Sequence, residues 1–116
     1  MPIKTDSNHP RVYIIAPYSL GDREYNVRRA IAAAETLLRM GFRPFVPILS
    51  HYWHLVYPHS EEEWSDLDMY WLEQSDLVAV VPGKSIHGEI EIAHAQILNL
   101  PILYLTEKEC TPPEQR

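Results

Sequence analysis

Asp68 shares a helical stripe with two tryptophans: Trp64, Asp68, Trp71, Leu72 and Ser75 recur at i, i+4, i+7, i+8 and i+11. A carboxyl half-buried among aromatic rings is held toward its neutral form, which suits a general acid. On periodicity alone a plainer reading is open: a buried face centred on Leu67 and Trp71, with Asp68 at its wet margin. Glu91 is the second acid. The turn Lys84-Ser85-Ile86-His87-Gly88 leads into a helix beginning near Gly88. Glu91 then falls in the opening turn, beside free backbone N–H groups that, with the helix dipole, also attract phosphate. Acids are favoured in that turn for electrostatic reasons alone, and Glu89, two residues earlier, faces another way. Tyr13 lies inside the first strand. Its hydroxyl could reach the sheet edge, although a strand tyrosine used for packing is equally ordinary.

His51-x-x-His54 with His59 has the outline of a metal signal. No acid joins the pair at ligand spacing and the single cysteine, Cys110, is distant, so no metal is assigned. There is no Gly-x-Gly-x-x-Gly, and Gly83-Lys84-Ser85 lacks the upstream glycine of a phosphate loop. No cofactor is implied.

These residues need a scaffold. Val12 to Ala16 is an apolar run stopped by Pro17 and predicts a buried strand. Asp22 caps a helix whose Val27, Ala30, Ile31, Ala34, Leu37 and Leu38 form one stripe, with Gly41 at its end. Phe42 to Val46, with Pro44 inside it, predicts an edge strand. Residues 48–60 predict an aromatic, histidine-rich loop. Ser60 and Glu63 form a capping box for a helix to about Gln74. Leu77 to Val81 predicts a third strand, Glu89 to Leu98 a third helix, and Ile102 to Leu105 a fourth strand. Residues 1–10 and the tail from Thr106 to Arg116 predict loose ends. Continuous apolar strands alternating with helices mean an α/β domain, a small parallel-sheet Rossmann- or flavodoxin-like three-layer sandwich. One such domain spans 1–116, with a core of about 11–105. Ligands of these sheets bind beyond the carboxyl ends of the strands, so the loops 17–24, 47–60, 82–88 and the one after 105 bound the site.

Composition narrows the partners. The chain has 116 residues, 46% of them apolar, and a formal charge of -6. An acidic balance disfavours a nucleic-acid polymer or an anionic membrane, since both reward a basic face. One cysteine cannot build an internal disulfide framework. The start carries no apolar signal core, and no run approaches the roughly 20 residues that span a bilayer. The expected location is the cytoplasm.

Three blocks together resemble the nucleoside 2-deoxyribosyltransferase superfamily, including the 2'-deoxynucleoside 5'-phosphate N-hydrolases, over roughly residues 11–105. Val12 to Ser19 is similar to the family's opening strand and phosphate-side loop, with its tyrosine at Tyr13. Asp68 to Asp76 is similar to the family's acid followed eight residues later by the Asp that opens a strand. Ser85 to Ala95 with Pro101 is similar to its Ser-x-Gly-x-x-x-Glu block, placing the family glutamate at Glu91 and the serine at Ser85. The family glycine two after the serine is His87 here, and Gly88 follows; Glu89 is then the fallback nucleophile.

The resemblance implies cleavage of a base–sugar bond in a nucleoside or nucleoside 5'-monophosphate. Glu91 would be the nucleophile, Asp68 would supply or relay the proton to the base, and Tyr13 would hold Glu91. The resemblance gives Ser85 to the phosphate. Independently of it, the Ser85 to Gly88 turn and the loop with Ser19, Gly21 and Arg23 each open a helix at the sheet's carboxyl edge and offer local donors to an anion, and Tyr52 and Trp53 suit aromatic packing or stacking on the base. Water resolving the intermediate makes a hydrolase; a second base makes a transferase. A non-catalytic nucleotide sensor and an enzyme cleaving NAD at its nicotinamide bond are the rival readings. The apolar first-helix stripe and Tyr52, Trp53 and Tyr57 suggest a homodimer or larger.

Overall fold

The computed structural model describes residues 9–113. The elements run β1 Arg11–Ile15, α1 Arg23–Arg39, β2 Arg43–Phe45, a 3-10 turn Pro47–Leu49, α2 Ser50–Val56, α3 Glu61–Glu73, β3 Leu77–Val80, α4 Ile86–Ile97, β4 Ile102–Tyr104 and a 3-10 turn Lys108–Cys110. The four strands form one parallel sheet in the order β2-β1-β3-β4. Pro44 sits on edge strand β2, where a missing donor costs least.

This order dictates the layers. From β1 the chain moves one way to β2, then turns back past β1 to β3 and on to β4. Right-handed crossovers in opposite directions place their helices on opposite faces. Val12 and Ile14 pack with Ala33, Leu37 and Cys110 on the α1 face. Tyr13 and Ile15 pack with Leu72 and Ala95 on the α3–α4 face. The reversal makes the carboxyl ends of β1 and β3 the topological switch point, where such sheets leave a crevice.

Three expectations are corrected. The tail does not fray within the described residues. A four-stranded sheet is roughly 15–19 Å wide, and one helix about 10 Å wide cannot cover its face. Residues after β4 complete the layer: Cys110 and Pro112 are fully buried, Arg29 pairs with Glu107 at 2.9 Å, and Thr36 donates to the Glu109 carbonyl. Residues 1–8 and 114–116, part of the expected loose ends, lie outside the described residues. The 48–60 segment is largely helical rather than a loop. Its helix α2 buries no residue, so no apolar stripe betrays it in sequence. The stripe of α1 is rotated from the expected one. Val27, Ala30, Ala33 and Leu37 are buried, while Ile31 and Leu38 are 44% and 46% exposed.

Candidate active site

Helix α4 begins at Ile86, earlier than the sequence suggested, because Ser85 is its N-cap; the Ser85 Oγ accepts from Gly88 N–H at 2.9 Å. Glu89 therefore takes the first turn and Glu91 falls in the second. The electrostatic preference for acids at a helix start accounts for Glu89 and not for Glu91.

Gly88 sets how closely α4 meets the sheet. A Cβ there would lie 3.2 Å from Ile15 Cγ2 and 3.0 Å from Ser85 Oγ, so a larger residue would push the helix outward. Three helix residues advance about 4.5 Å and two strand residues about 6.6 Å, close enough for a side chain to span the difference. Gly88 against Ile15 thus brings Glu91 over Tyr13, two residues back on the same strand face. The Tyr13 hydroxyl donates to Glu91 Oε2. Tyr13 is itself fully buried, with Phe45 packed at 6.0 Å between ring centres and Trp71 behind Phe45 at 5.6 Å.

Asp68 faces the same space from α3. Leu72 is that helix's buried residue, whereas Trp71 is 42% exposed. The buried face therefore runs through Leu72 and Asp68, and the alternative centred on Leu67 and Trp71 does not hold. Burial pushes the Asp68 carboxyl up to about 7. Glu91 is also pushed up to about 7, chiefly by burial and further by the Asp68 charge, against the lowering effect of the Tyr13 hydrogen bond. Burial and the two neighbouring carboxylates raise Tyr13 so far that it stays a phenol. Both acids thus change charge near neutrality, and a charge on Asp68 discourages ionisation of Glu91.

These acids open on a cavity of about 320 Å³ between β1, α2, α3 and the start of α4. Ser19, Arg23, Ser85 and His87 line it. Gly88 lies beneath a smaller neighbouring cleft beside Ser85, and Gly21 makes a turn at φ +81° without lining either space. Trp53 stays outside the cavity, 53% exposed, with its ring 5.1 Å from Trp64. Of the four expected loops, the one after 105 contributes nothing to the cavity. The three histidines of 48–60 go to separate partners: His51 to Tyr18, His54 to Trp64, and His59 to Glu63. Among the described residues no group of three or more His, Cys, Asp or Glu is placed to hold a metal ion.

Several supporting residues escaped the sequence reading. Asn26 is buried and donates to the carbonyls of Tyr18 and Leu20 at 2.9 and 2.8 Å, fixing the loop that carries Ser19. Its signal was there: Asn26, Ala30, Ala33 and Leu37 are one stripe with a polar head. Gly83, at φ +131°, abuts Pro17, where a Cβ would come within 2.8 Å. That contact locks the loop after β1 to the loop after β3. Asp76, the second acid of the 68–76 block, takes hydrogen bonds from Arg11 at the amino end of the sheet and belongs to the scaffold.

The sequence profile of a family described as a domain of unknown function (DUF7768) matches residues 10–105. No curated relative matches in sequence. The fold is similar to a solved 2-deoxyribosyltransferase from the psychrotolerant bacterium Bacillus psychrosaccharolyticus, with a TM-score of 0.60 and 18% identity over 81% of this chain and 70% of that one. The architecture is thus that of the nucleoside deoxyribosyltransferase-like fold.

The raised carboxyls make a stability prediction. An unfolded Asp ionises near pH 4, and folded Asp68 near 7. Between these values the unfolded chain gives up its proton first, so the charge disfavours folding increasingly as pH rises and fully above 7. Asp68→Asn should be more stable than wild type by about 1–2 kcal/mol at pH 8, after discounting for partial exposure, and equal to it at pH 4. Urea unfolding at the two pH values measures this. No gain at pH 8 would mean that Asp68 is solvated.

Proposed function

The chain belongs to the family described as a domain of unknown function (DUF7768), and we propose that it is an N-glycosidase that cleaves the base–sugar bond of a (deoxy)nucleoside 5'-monophosphate. The observation that carries this reading is Glu91, held by the Tyr13 hydroxyl and faced by the raised acid Asp68 at one cavity. Glu91 Oε attacks C1' as the bond to the base nitrogen breaks. That electron pair leaves with the base, which takes the proton of Asp68. Water then attacks C1' of the glycosyl ester, gives a proton to Asp68, and frees Glu91. Tyr13, a neutral donor throughout, steadies one oxygen of Glu91 and leaves the other to react. A second base in place of water would make the reaction a sugar transfer, as the name of the structurally similar enzyme suggests.

This assignment requires Glu91 ionised and Asp68 protonated. Activity should fall below neutrality as Glu91 gains a proton and above it as Asp68 loses one, giving a bell centred near 7. In Asp68→Asn the rate should drop about 100-fold or more and the alkaline limb should vanish. Chromatography of released base across pH, with and without an acceptor base, measures both and separates hydrolysis from transfer. An unchanged profile in the variant removes Asp68 from the reaction.

The 5'-phosphate is proposed from Ser19, Arg23 and Ser85 on the same cavity. Ser85 uses its lone pair to cap Gly88 and keeps its hydroxyl hydrogen for an anion. The monophosphate should have a kcat/KM at least about tenfold above the free nucleoside, with most of that advantage lost in Ser85→Ala. Equal values for the two substrates in wild type would contradict it.

A homodimer or larger assembly in the cytoplasm completes the reading. Ile86, Ile90 and Ile97 lie along α4 at 73%, 56% and 75% exposure, an apolar line that water poorly tolerates. Among the described residues no helix is long and apolar enough to cross a membrane. Light scattering should give at least twice 13.5 kDa; a monomer at working concentration refutes the assembly.

A further inference from the structure

His54 carries an unused hydrogen-bond donor on the wall of the cavity. Its Nδ1 receives two hydrogen bonds, from the Trp64 indole Nε1–H at 2.9 Å and from the His59 backbone N–H at 3.1 Å. Both of those groups can only donate. Nδ1 therefore accepts, and the ring hydrogen of neutral His54 sits on Nε2. Nε2 has no partner among the described residues. The ring is also fixed mechanically: Trp64 stands edge-on to His54, His59 and Trp53 at 5.9, 5.1 and 5.1 Å.

His54, Trp64 and Asp68 all line the cavity. Trp64 and Asp68 are one turn apart on α3, and Trp64 binds His54 directly. The cavity lining thus carries two donors linked through Trp64: the Asp68 carboxyl, one turn from Trp64 on α3, and the Nε2–H of His54, whose ring Trp64 holds. Nothing else in the reaction uses the second.

We infer that His54 reads the leaving base, its Nε2–H donating to an acceptor next to the ring nitrogen that Asp68 protonates. The inference rests on the glycosidase reading above. Two linked donors match an edge with two adjacent acceptors. A 6-oxopurine presents such an edge, N7 and O6; a 6-aminopurine presents the N7 acceptor beside an N–H donor. The donor of His54 meets the carbonyl and opposes the amino group, so the site selects 6-oxopurines. Because Trp64 and the His59 backbone hold the tautomer, His54 cannot rotate its acceptor nitrogen toward the amino base without breaking both bonds.

The experiment compares the 5'-monophosphates of 2'-deoxyinosine and 2'-deoxyadenosine, which carry the oxo and amino groups at the same carbon. Wild type should favour the oxo substrate in kcat/KM by about tenfold or more. His54→Phe should abolish the preference. His54→Gln, whose amide can still donate, should restore part of it and guards against a Phe variant that fails to fold. The same ratio should appear in equilibrium binding of the two nucleotides, followed by tryptophan fluorescence. Equal affinity and equal rates in wild type, an amino preference, or a ratio unchanged in both variants overturns the role of His54. Binding that follows the expected ratio with no base released from either nucleotide overturns the glycosidase reading and leaves His54 as the base reader.

Discussion

A carboxylate buried against a phenol on the central strand of a parallel sheet is expensive to keep charged, and much of this structure serves to hold one there. Glu91 loses water and gains one strong donor, Tyr13, in exchange. Burial and the second acid, Asp68, outweigh that donor, which leaves Glu91 titrating near neutrality rather than as an ordinary carboxylate. The contact exists only because β1 is an interior strand, because Gly88 lets α4 settle on Ile15, and because Ser85 starts the helix at the right residue. Enlarging Gly88 or moving the cap changes where Glu91 arrives.

The two faces of the sheet divide the labour. On one, α1 and the residues after β4 bury Leu37 and Cys110 and make an inert platform. On the other, α3 and α4 deliver Asp68 and Glu91 to the switch point between β1 and β3. Polar ties bring α2 over the opening. Tyr18 with His51, Tyr52 with Glu24 and Trp64 with His54 attach a helix that buries nothing of its own. A wall held by hydrogen bonds presents specific donors to a ligand, where an apolar wall presents only shape.

Much of this was legible in the sequence, for identifiable reasons. Apolar runs bounded by proline and glycine mark all four strands to within a residue or two, and Asp22 and Ser60 cap the helices expected of them. The resemblance pointed to Tyr13, Asp68 and Glu91 together, which no single periodicity could do. Short-range signals failed where long-range packing decides. Helix α2 has no stripe because it covers a cavity rather than a core. The tail looks polar because only Cys110 and Pro112 reach inward. The pairing of His54 with Trp64 spans two helices and leaves no mark at any fixed spacing.

The central claim is that Glu91 forms the covalent bond to the sugar. A 2'-fluorinated deoxynucleoside 5'-monophosphate slows breakdown of a glycosyl ester by withdrawing electrons from C1'. Incubation with it, acid quenching, intact mass measurement and peptide mapping test the claim directly. The account predicts a mass increase of one fluorinated sugar phosphate, carried as an ester on the side-chain carboxylate of Glu91. The same adduct on Glu89, or base released with no adduct at any quench time, would contradict it.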